Sequence, residues 1–482
     1  MTRKNLLIII LTAFILFSFF PKAFADVEKT IVRVGLSSNT ASVNTSIQEG
    51  SYQLTDEATG LKIGFVDQGS NLLFVKVGNS IEVIINGESK PITFRGPIHI
   101  EPVNKAELSL FSYRNTRYRD DYRVEVYQNG LLITNCLDIE KYLYGVVGPE
   151  MGYGFPQEAL KAQAVVSRSY ALSMINTRNH YDVGIDTMTQ VYRGYDAEIQ
   201  PNGQGIINAV DSTRGEVIFH RASSNRPIQA YFHANAGGYT ENSENVWSNP
   251  LPYIKAVPSP YDSYALEYGR QTNSWPANSY QWTVNYSRTE LLDLISQWNT
   301  QSKANDREDR LILVGKLQDI QVKRNQRNSS EETASGRVTE LIFVGDQGEK
   351  SFYRDFIRTV LGLRSTMFDV KLDSEVTILG SDGSAQKIND GTNLFGIGGS
   401  SQPRVIGSDQ GYYYVKGADR GIRVMPQTFQ NIEIIGKGHG HGLGMSQWGA
   451  IGMANNGYNY TEIIKHYYGG QDKSQITIEK YR

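Results

Sequence analysis

The residues able to do chemistry begin with one carboxylate. In Glu140-Lys-Tyr-Leu-Tyr-Gly-Val-Val-Gly-Pro-Glu150-Met-Gly-Tyr-Gly-Phe-Pro156, Glu150 follows Tyr142, Leu143, Tyr144, Val146 and Val147 and precedes Met151, Tyr153 and Phe155. Loss of water around such a group favours its neutral, proton-donating form near neutral pH, which is what a general acid needs. The plain alternative is a solvated surface Glu in a loop. A second reactive stretch is Gly436-Lys-Gly-His439-Gly-His441-Gly-Leu-Gly444-Met-Ser446-Gln447-Trp-Gly449. Glycine loses the most backbone entropy on ordering, so alternate glycines imply a backbone that approaches something closely; the plain reading is a turn packed on the core. His439 and His441 could join His466 or His233 around a metal. No acidic or Cys partner stands at a recognisable metal spacing, so no metal and no cofactor is assigned.

These groups need elements to hold them. Pro156 with Gln157 and Glu158 starts a helix predicted to reach about Asn176, with Leu160, Ala164, Ser167, Ala171 and Met174 on one face. Glu150 is thereby expected on the loop leading into a rigid helix. Ile228 to Gly238 reads as a strand ending in a glycine turn, and helices are expected near Arg288–Thr300, Tyr353–Leu361 with Gly362 as stop, from about Met445, and over Tyr460–Tyr468. Residues 26–104 alternate apolar and polar positions in short runs, a β module. Tyr122–Tyr127, Gln128-Asn129-Gly130 and Leu131–Thr134 form a β-hairpin on an Asn-Gly turn. Residues 371–430 read as a β-rich insertion. The fold class is therefore α+β, β-rich, with a long helix after the Glu150 segment and additional small β modules.

The N-terminus has Arg3 and Lys4, a largely apolar run from Leu6 to Phe20, and Ala23 and Ala25 at the positions before a cut, so residues 1–25 read as a secretory signal. An uncleaved N-terminal anchor is the second reading and would be the only tie to a membrane. Cleavage would remove Arg3, Lys4 and Lys22 and no acid, taking the formal charge from −2 to −5. That balance excludes a nucleic-acid partner and electrostatic attraction to anionic wall polymers. With one cysteine, Cys136, there is no disulfide framework, and the exported chain must be held by its core. The 29 tyrosines suit carbohydrate faces as well as half-buried strands.

Several motifs resemble, in order, the stage II sporulation protein D and amidase-enhancer family. They are Glu140–Val147, Glu150-Met151, Pro156–Val165, Arg168-Ser-Tyr-Ala171, Asp186-Thr187, Gln190-Val-Tyr-Arg-Gly194, Phe232-His233 with Gly237-Gly238, Ser335-Gly-Arg337, Leu361–Thr366 and Gly440–Ala450. The resemblance spans a core of 105–370 completed by 431–482. It implies a lytic transglycosylase that cuts the MurNAc–GlcNAc bond of peptidoglycan glycan strands, preferentially peptide-denuded ones, leaving 1,6-anhydro-MurNAc ends in sporulation or wall remodelling. It implies Glu150 as the catalytic acid, and the motif matches with their side-chain chemistry point to Gln190, Tyr192, His439, His441, Ser446 and Gln447 as substrate-binding helpers. An ordinary glycosidase needs two carboxylates; a lytic transglycosylase needs one, because a hydroxyl of the substrate closes the ring.

The chain departs from the family where Gly152-Tyr-Gly-Phe precedes Pro156, an insertion expected to loosen the loop, and where His439 stands in place of a common Trp. Ala234, Asn235 and Ala236 leave no thiolate for the zinc that some members bind near the Gly-Gly turn. The alternative function is a non-catalytic wall-binding activator of an N-acetylmuramoyl-L-alanine amidase, with that amidase as partner; metal-dependent hydrolysis through His439 and His441 is a third. The expected location is extracytoplasmic, secreted or associated with the cell wall.

Overall fold

The computed structural model describes residues 30–223, 226–247, 249–272, 277–374, 376–379, 384–388, 395–397, 403–405, 412–416, 422–426 and 428–481. The signal expected at 1–25 lies outside them. With 28% of residues helical and 34% in strands, the chain is α+β with strand predominant. It divides into two units. One holds the residues up to Val146, Ile175–Ala197 and the end from Lys480; the other holds Val147–Met174 and Glu198–Glu479.

In the first unit, alternation of apolar and polar residues turns one face of each strand inward, as with Val32, Val34 and Leu36 of Ile31–Thr40. Two six-stranded sheets result. Gly130–Asp138 is central, pairing with Ile31–Thr40 on one side and Asp121–Tyr127 on the other, and is buried along nearly its whole length. The sheets run on past residue 104: Leu110–Tyr113 pairs with Ser42–Glu49, and Ile98–Pro102 with Asp121–Tyr127. The β structure therefore reaches Asp138, because strands on either side of that point are each other's partners. The hairpin turn sits one residue earlier than expected. Tyr127 pairs with Gly130, leaving Gln128 and Asn129 in the loop with Gln128 at φ +52°. Gly130 is instead a strand residue whose missing Cβ would lie 2.4 Å from the Asn39 carbonyl carbon.

The helix α1 (Ile139–Tyr144) follows, capped by the Asp138 carboxylate accepting from the Glu140 amide. The segment Ile175–Ala197 is fixed to this unit by Asp182. Its fully buried carboxylate accepts from the Arg33 amide and guanidinium at 2.7–3.1 Å and from the Asn176 amide at 3.1 Å.

The second unit is built round α3 (Gln157–Met174), which starts where Pro156 is expected to start it and ends two residues early. Every residue of this helix from Ala159 through Leu172 except Lys161 is buried, where one apolar face was expected. Its small side chains explain this: Ala159, Ala162, Ala164, Ser167, Ser169 and Ala171 let Gly203–Ser212, α4 (Gln447–Asn455) and α5 (Tyr460–Gly469) all pack against it. The helices α4 and α5 lie close to their expected positions. So does Arg288–Ala304, entered through a Ser287/Glu290 capping box, and Phe356–Leu361 ends at Gly362 with φ +63°. The strand expected over 228–238 shrinks to Phe232–His233.

A three-stranded sheet has Asn431–Lys437 between Gln281–Ser287 and Met367–Leu372. Leu372 pairs with Ile432, so the chain between them leaves and returns at adjacent points of one sheet. Its described strands form three hairpins. No helix among the described residues is long and apolar enough to cross a membrane.

Asp182→Ala should leave the Arg33 guanidinium and the Asn176 amide without their acceptor. We expect a loss of about 2–3 kcal/mol, read as faster hydrogen exchange over Ile175–Ala197 and a lower thermal midpoint.

Candidate active site

Glu150 lies on a short helix, α2 (Val147–Met151), and not in a loop. Pro149 falls within its first turn, where a missing N–H costs nothing. The Gly152 amide closes the turn on the Gly148 carbonyl at 2.8 Å. Gly152 and Gly154 then turn the chain into α3 at φ +92° and +82°. The inserted Tyr153 and Phe155, expected to loosen this connection, pin it. The Tyr153 ring covers Gly148, where a Cβ would meet it at 2.5 Å, and Phe155 packs on Tyr268 and edge-on to Trp448 at 5.4 and 5.5 Å.

The glycine-rich segment holds the acid from the other side. Gln447, the first residue of α4, donates from Nε2 to the Glu150 carbonyl at 2.9 Å. Ser446 caps that helix by accepting from the Gly449 amide, accepts also from the Ala236 amide, and donates to Asp262 Oδ1 at 2.5 Å. Asp262 is fully buried and accepts from the Gly238 amide at 2.9 Å. Burial pushes its carboxyl up to about 6, against the pull of the bonds from Ser446, Gly238 and Ser259.

Close approach explains the alternating glycines. Met445–Ser446 runs parallel to Phe232–His233, and His439 exchanges backbone hydrogen bonds with Asn235 at 2.8 and 3.0 Å. Between them Gly438, Gly440, Gly442 and Gly444 all have positive φ, from +67° to +110°. A Cβ on Gly444 would lie 2.0 Å from the Tyr231 carbonyl oxygen, and one on Gly442 would strike the Arg337 guanidinium at 2.6 Å. Arg337, itself buried, donates to the Ala236 carbonyl at 2.8 Å. This accounts for the Ser335-Gly-Arg337 motif as a brace of the loop.

The glycine loop carries its histidines into an aromatic row. Tyr170 of α3 faces Tyr231 at 5.7 Å, Tyr231 meets Trp247 at 4.5 Å, Trp247 meets His441 at 5.1 Å, and His441 meets His233 at 5.4 Å. Burial pushes the Tyr170 hydroxyl up to about 12, with further upward pressure from Tyr231 and then from the negative charge of Glu150. Glu150, Tyr231, Trp247 and His441 are each half-buried.

Both histidines of the row are held neutral. His441 Nδ1 accepts from the Leu443 amide at 3.0 Å, which puts its proton on Nε2, and burial lowers its pKa to about 4. His233 Nδ1 donates to the Leu443 carbonyl at 3.0 Å, and burial, then His441 and Arg337, drive its pKa well below the usual range. The Nδ1 atoms of both rings are thereby committed to Leu443. Among the described residues, the ligand-type atoms that do converge belong to His99, Glu101 and Asp121 of the first unit, where the Lys105 ammonium is already 2.8 Å from Glu101 and 3.5 Å from Asp121.

The expected helpers thus divide. Gln447 grips the Glu150 backbone, and His441 lies in the row. His439 is half-buried in the loop, its pKa lowered by burial and by Arg364 and Arg358. Ser446 is fully buried as a cap. Gln190 and Tyr192 belong to the first unit and are buried there: Gln190 Oε1 accepts from the Tyr142 hydroxyl at 3.0 Å, and the Tyr192 hydroxyl donates to Asn135 Oδ1 at 2.8 Å. Sequence reasoning missed Tyr231, Trp247 and Asp262, and assigned no role to Tyr170. Tyr170 lies inside the quoted Arg168–Ala171 motif and Tyr231 adjoins Phe232-His233; Trp247 and Asp262 carry no local signal.

A family profile described as stage II sporulation protein matches residues 127–220. The chain is 28% identical over 374 residues to stage II sporulation protein D of Bacillus amyloliquefaciens, covering 74% of this chain and 81% of that protein. It is 24% identical to the protein of the same name in Bacillus subtilis over 373 residues, 74% of this chain and 81% of the relative. It is also 27% identical over 335 residues to the amidase enhancer of Bacillus subtilis, covering 68% of this chain but 39% of that longer protein.

Opposed ionisations make the pH response of this region testable. His441, lowered from 6.5 to about 4, gives stability that is complete above 6.5 and lost as pH falls toward 4. Asp262, raised from 3.8 to about 6, gives stability present below 3.8 and lost as pH rises through 6. Asp262→Asn removes the second effect alone. Its stability should therefore climb more steeply with pH than that of the wild type between about 4 and 6, read from denaturation midpoints across that window; parallel curves would count against the assignment.

Proposed function

Since the chain belongs to the stage II sporulation protein D and amidase-enhancer family, we propose that it acts on the cell wall as a lytic transglycosylase, cutting peptidoglycan glycan strands, preferentially peptide-denuded ones, outside the cytoplasm. The observation that carries this reading is a half-buried carboxylate, Glu150, fixed through its backbone by Gln447 and within electrostatic reach of Tyr170, the first ring of a row of aromatic side chains. Rings of this kind take the faces of sugars.

The chemistry needs no second acid. Glu150, protonated, gives its proton to the oxygen bridging MurNAc C1 and the next GlcNAc, and the C1–O bond breaks with its electron pair leaving on that oxygen. The MurNAc C6 hydroxyl then bonds to C1, and its proton returns to the Glu150 carboxylate, closing the 1,6-anhydro ring and restoring the acid. Asp262 is sealed inside and committed to Ser446 and Gly238, so it is not the water-activating partner that a hydrolase would require. The Tyr170 hydroxyl, held neutral, can donate a hydrogen bond beside the developing charge. His439 and His441 contribute neutral imidazoles on the sugar path, and Ser446 braces the backbone beside them, while Gln190 and Tyr192 act within the first unit, on Tyr142 and Asn135.

The second reading is an activator of a wall amidase, and the similarity to a protein named amidase enhancer favours it. One experiment separates the two. Purified residues 26–482 and the Glu150→Gln variant are incubated with peptide-free glycan strands, and the products are weighed. Wild type should release anhydro-MurNAc ends, and the variant, with an unchanged circular dichroism spectrum, should fall by at least ~10²–10⁴-fold. Equal products from both would remove Glu150 from the mechanism. No products from either, with a faster added amidase, would establish the activator instead.

A further inference from the structure

The second unit contains a cavity of about 1020 Å³ outside the acid site, and Trp247 is part of its wall. The indole therefore belongs both to the aromatic row that starts at Tyr170 and to this cavity. Phe352, Tyr353 and Phe356 add further rings to the lining, with Tyr353 exposed at 55%.

The lining carries six cationic side chains against four acidic ones. Each of the four acids is already paired: Glu244 with Lys255, Asp309 with Arg307, Glu340 with Lys323 and Asp355 with Arg358. Arg310 and Lys350 have no carboxylate within ion-pair distance among the described residues. Each is half-buried and lies over an aromatic face instead, Arg310 over Phe356 at 4.4 Å and Lys350 over Phe352 at 5.7 Å. Such contacts orient a cation without neutralising it. Lys350 also donates to the Asp309 carbonyl at 2.6 Å, and Arg310 lies within electrostatic reach of Asp309, but among the described residues neither cation is held in an ion pair of its own. Two such charges in a chain of net charge −2 favour an anion bonded to a flat, partly apolar body.

We propose that this cavity is a second glycan subsite, which binds the carboxylate of a muramic acid residue on the strand whose neighbouring sugar lies along Trp247. The inference rests on the glycan reading above for the identity of the polymer. On a glycan strand the anionic group is the lactyl carboxylate of muramic acid, and it is a free anion only where no peptide is amide-linked to it. Arg310 and Lys350 receive that carboxylate, and Trp247 and Tyr353 flank the sugar ring. The acid site thereby gains a partner that fixes which sugar faces Glu150.

The test uses the full chain with Glu150→Gln, so that binding is read without turnover. The dissociation constant is measured for peptide-free glycan strands and for the same strands with their carboxylates converted to primary amides, at two salt concentrations. Amidation should weaken binding about tenfold or more and remove most of the salt dependence. Adding Arg310→Gln and Lys350→Gln should bring both strands to the same weak affinity, whereas Lys350→Arg should keep the preference for the acid form. Lys350→Gln alone, and the amidated strand on the parent protein, give the same answer if the double variant fails to fold. Equal affinity of the parent for both strands would overturn the proposal, as would a preference that survives the double variant or tighter binding of a glycerol-phosphate polymer than of either strand. Absence of anhydro products would defeat the catalytic reading while leaving a carboxylate-dependent affinity intact, so the two failures are distinguishable.

Discussion

The structure depends on one close backbone approach. The segment His439–Ser446 is laid against Phe232–Asn235, more than two hundred residues earlier in the chain, through the paired amides of His439 and Asn235 and the parallel pairing of Met445–Ser446 with Phe232–His233. Only residues without a Cβ can follow this path, which repeatedly takes positive φ and passes 2.0–2.8 Å, at the missing Cβ positions, from the Tyr231 carbonyl, the Arg337 guanidinium and His233. From this contact follow the start of α4, the grip of Gln447 on Glu150, and the entry of His441 into the aromatic row.

Such a loop brings buried polar groups with it, and the bonds that most of them make hold its arrangement. Asp262 and Ser446 tie together the Gly238 turn, the Ala236 amide and the first turn of α4, and Arg337 takes the Ala236 carbonyl. The network is buried, so an unpaired member would cost more than its bond contributes. Burial also keeps His233 and His441 neutral and raises Asp262. The region is thus a set of fixed dipoles around one half-exposed acid, an arrangement that can stabilise charge developing on a ligand without reorganising.

The aromatic side chains do two separate jobs. Tyr142 and Tyr192 are closed into the first unit with Gln190 and Asn135 and serve rigidity. Tyr231 and Trp247 keep part of their surface open in the row that His441 joins. Composition does not separate these uses, because a Tyr on a half-buried strand and a Tyr in a sugar cleft have the same amphipathic character.

Much was written locally. The alternation of 26–104 and the hairpin pattern of Tyr122–Thr134 specified strands; Pro156 and the small residues after it specified a closely packed helix; Gly362 specified a helix stop; and Glu150 with the glycine-rich run marked the reactive segments. These signals act within a few residues, through φ restriction, periodicity and side-chain size, so they can be read from sequence. Folding decided the rest. It turned the Glu150 loop into a helix, made the Tyr153–Phe155 insertion a clamp, buried α3 along most of its length and reduced 228–238 to a two-residue strand, because each outcome depends on what distant chain packs there. The pairing of Gln447 with Glu150, the recruitment of Trp247 and the burial of Asp262 join residues 297, 194 and 184 positions from their partners Glu150, His441 and Ser446. No local pattern encodes such contacts; they exist only once the loop has closed on Asn235.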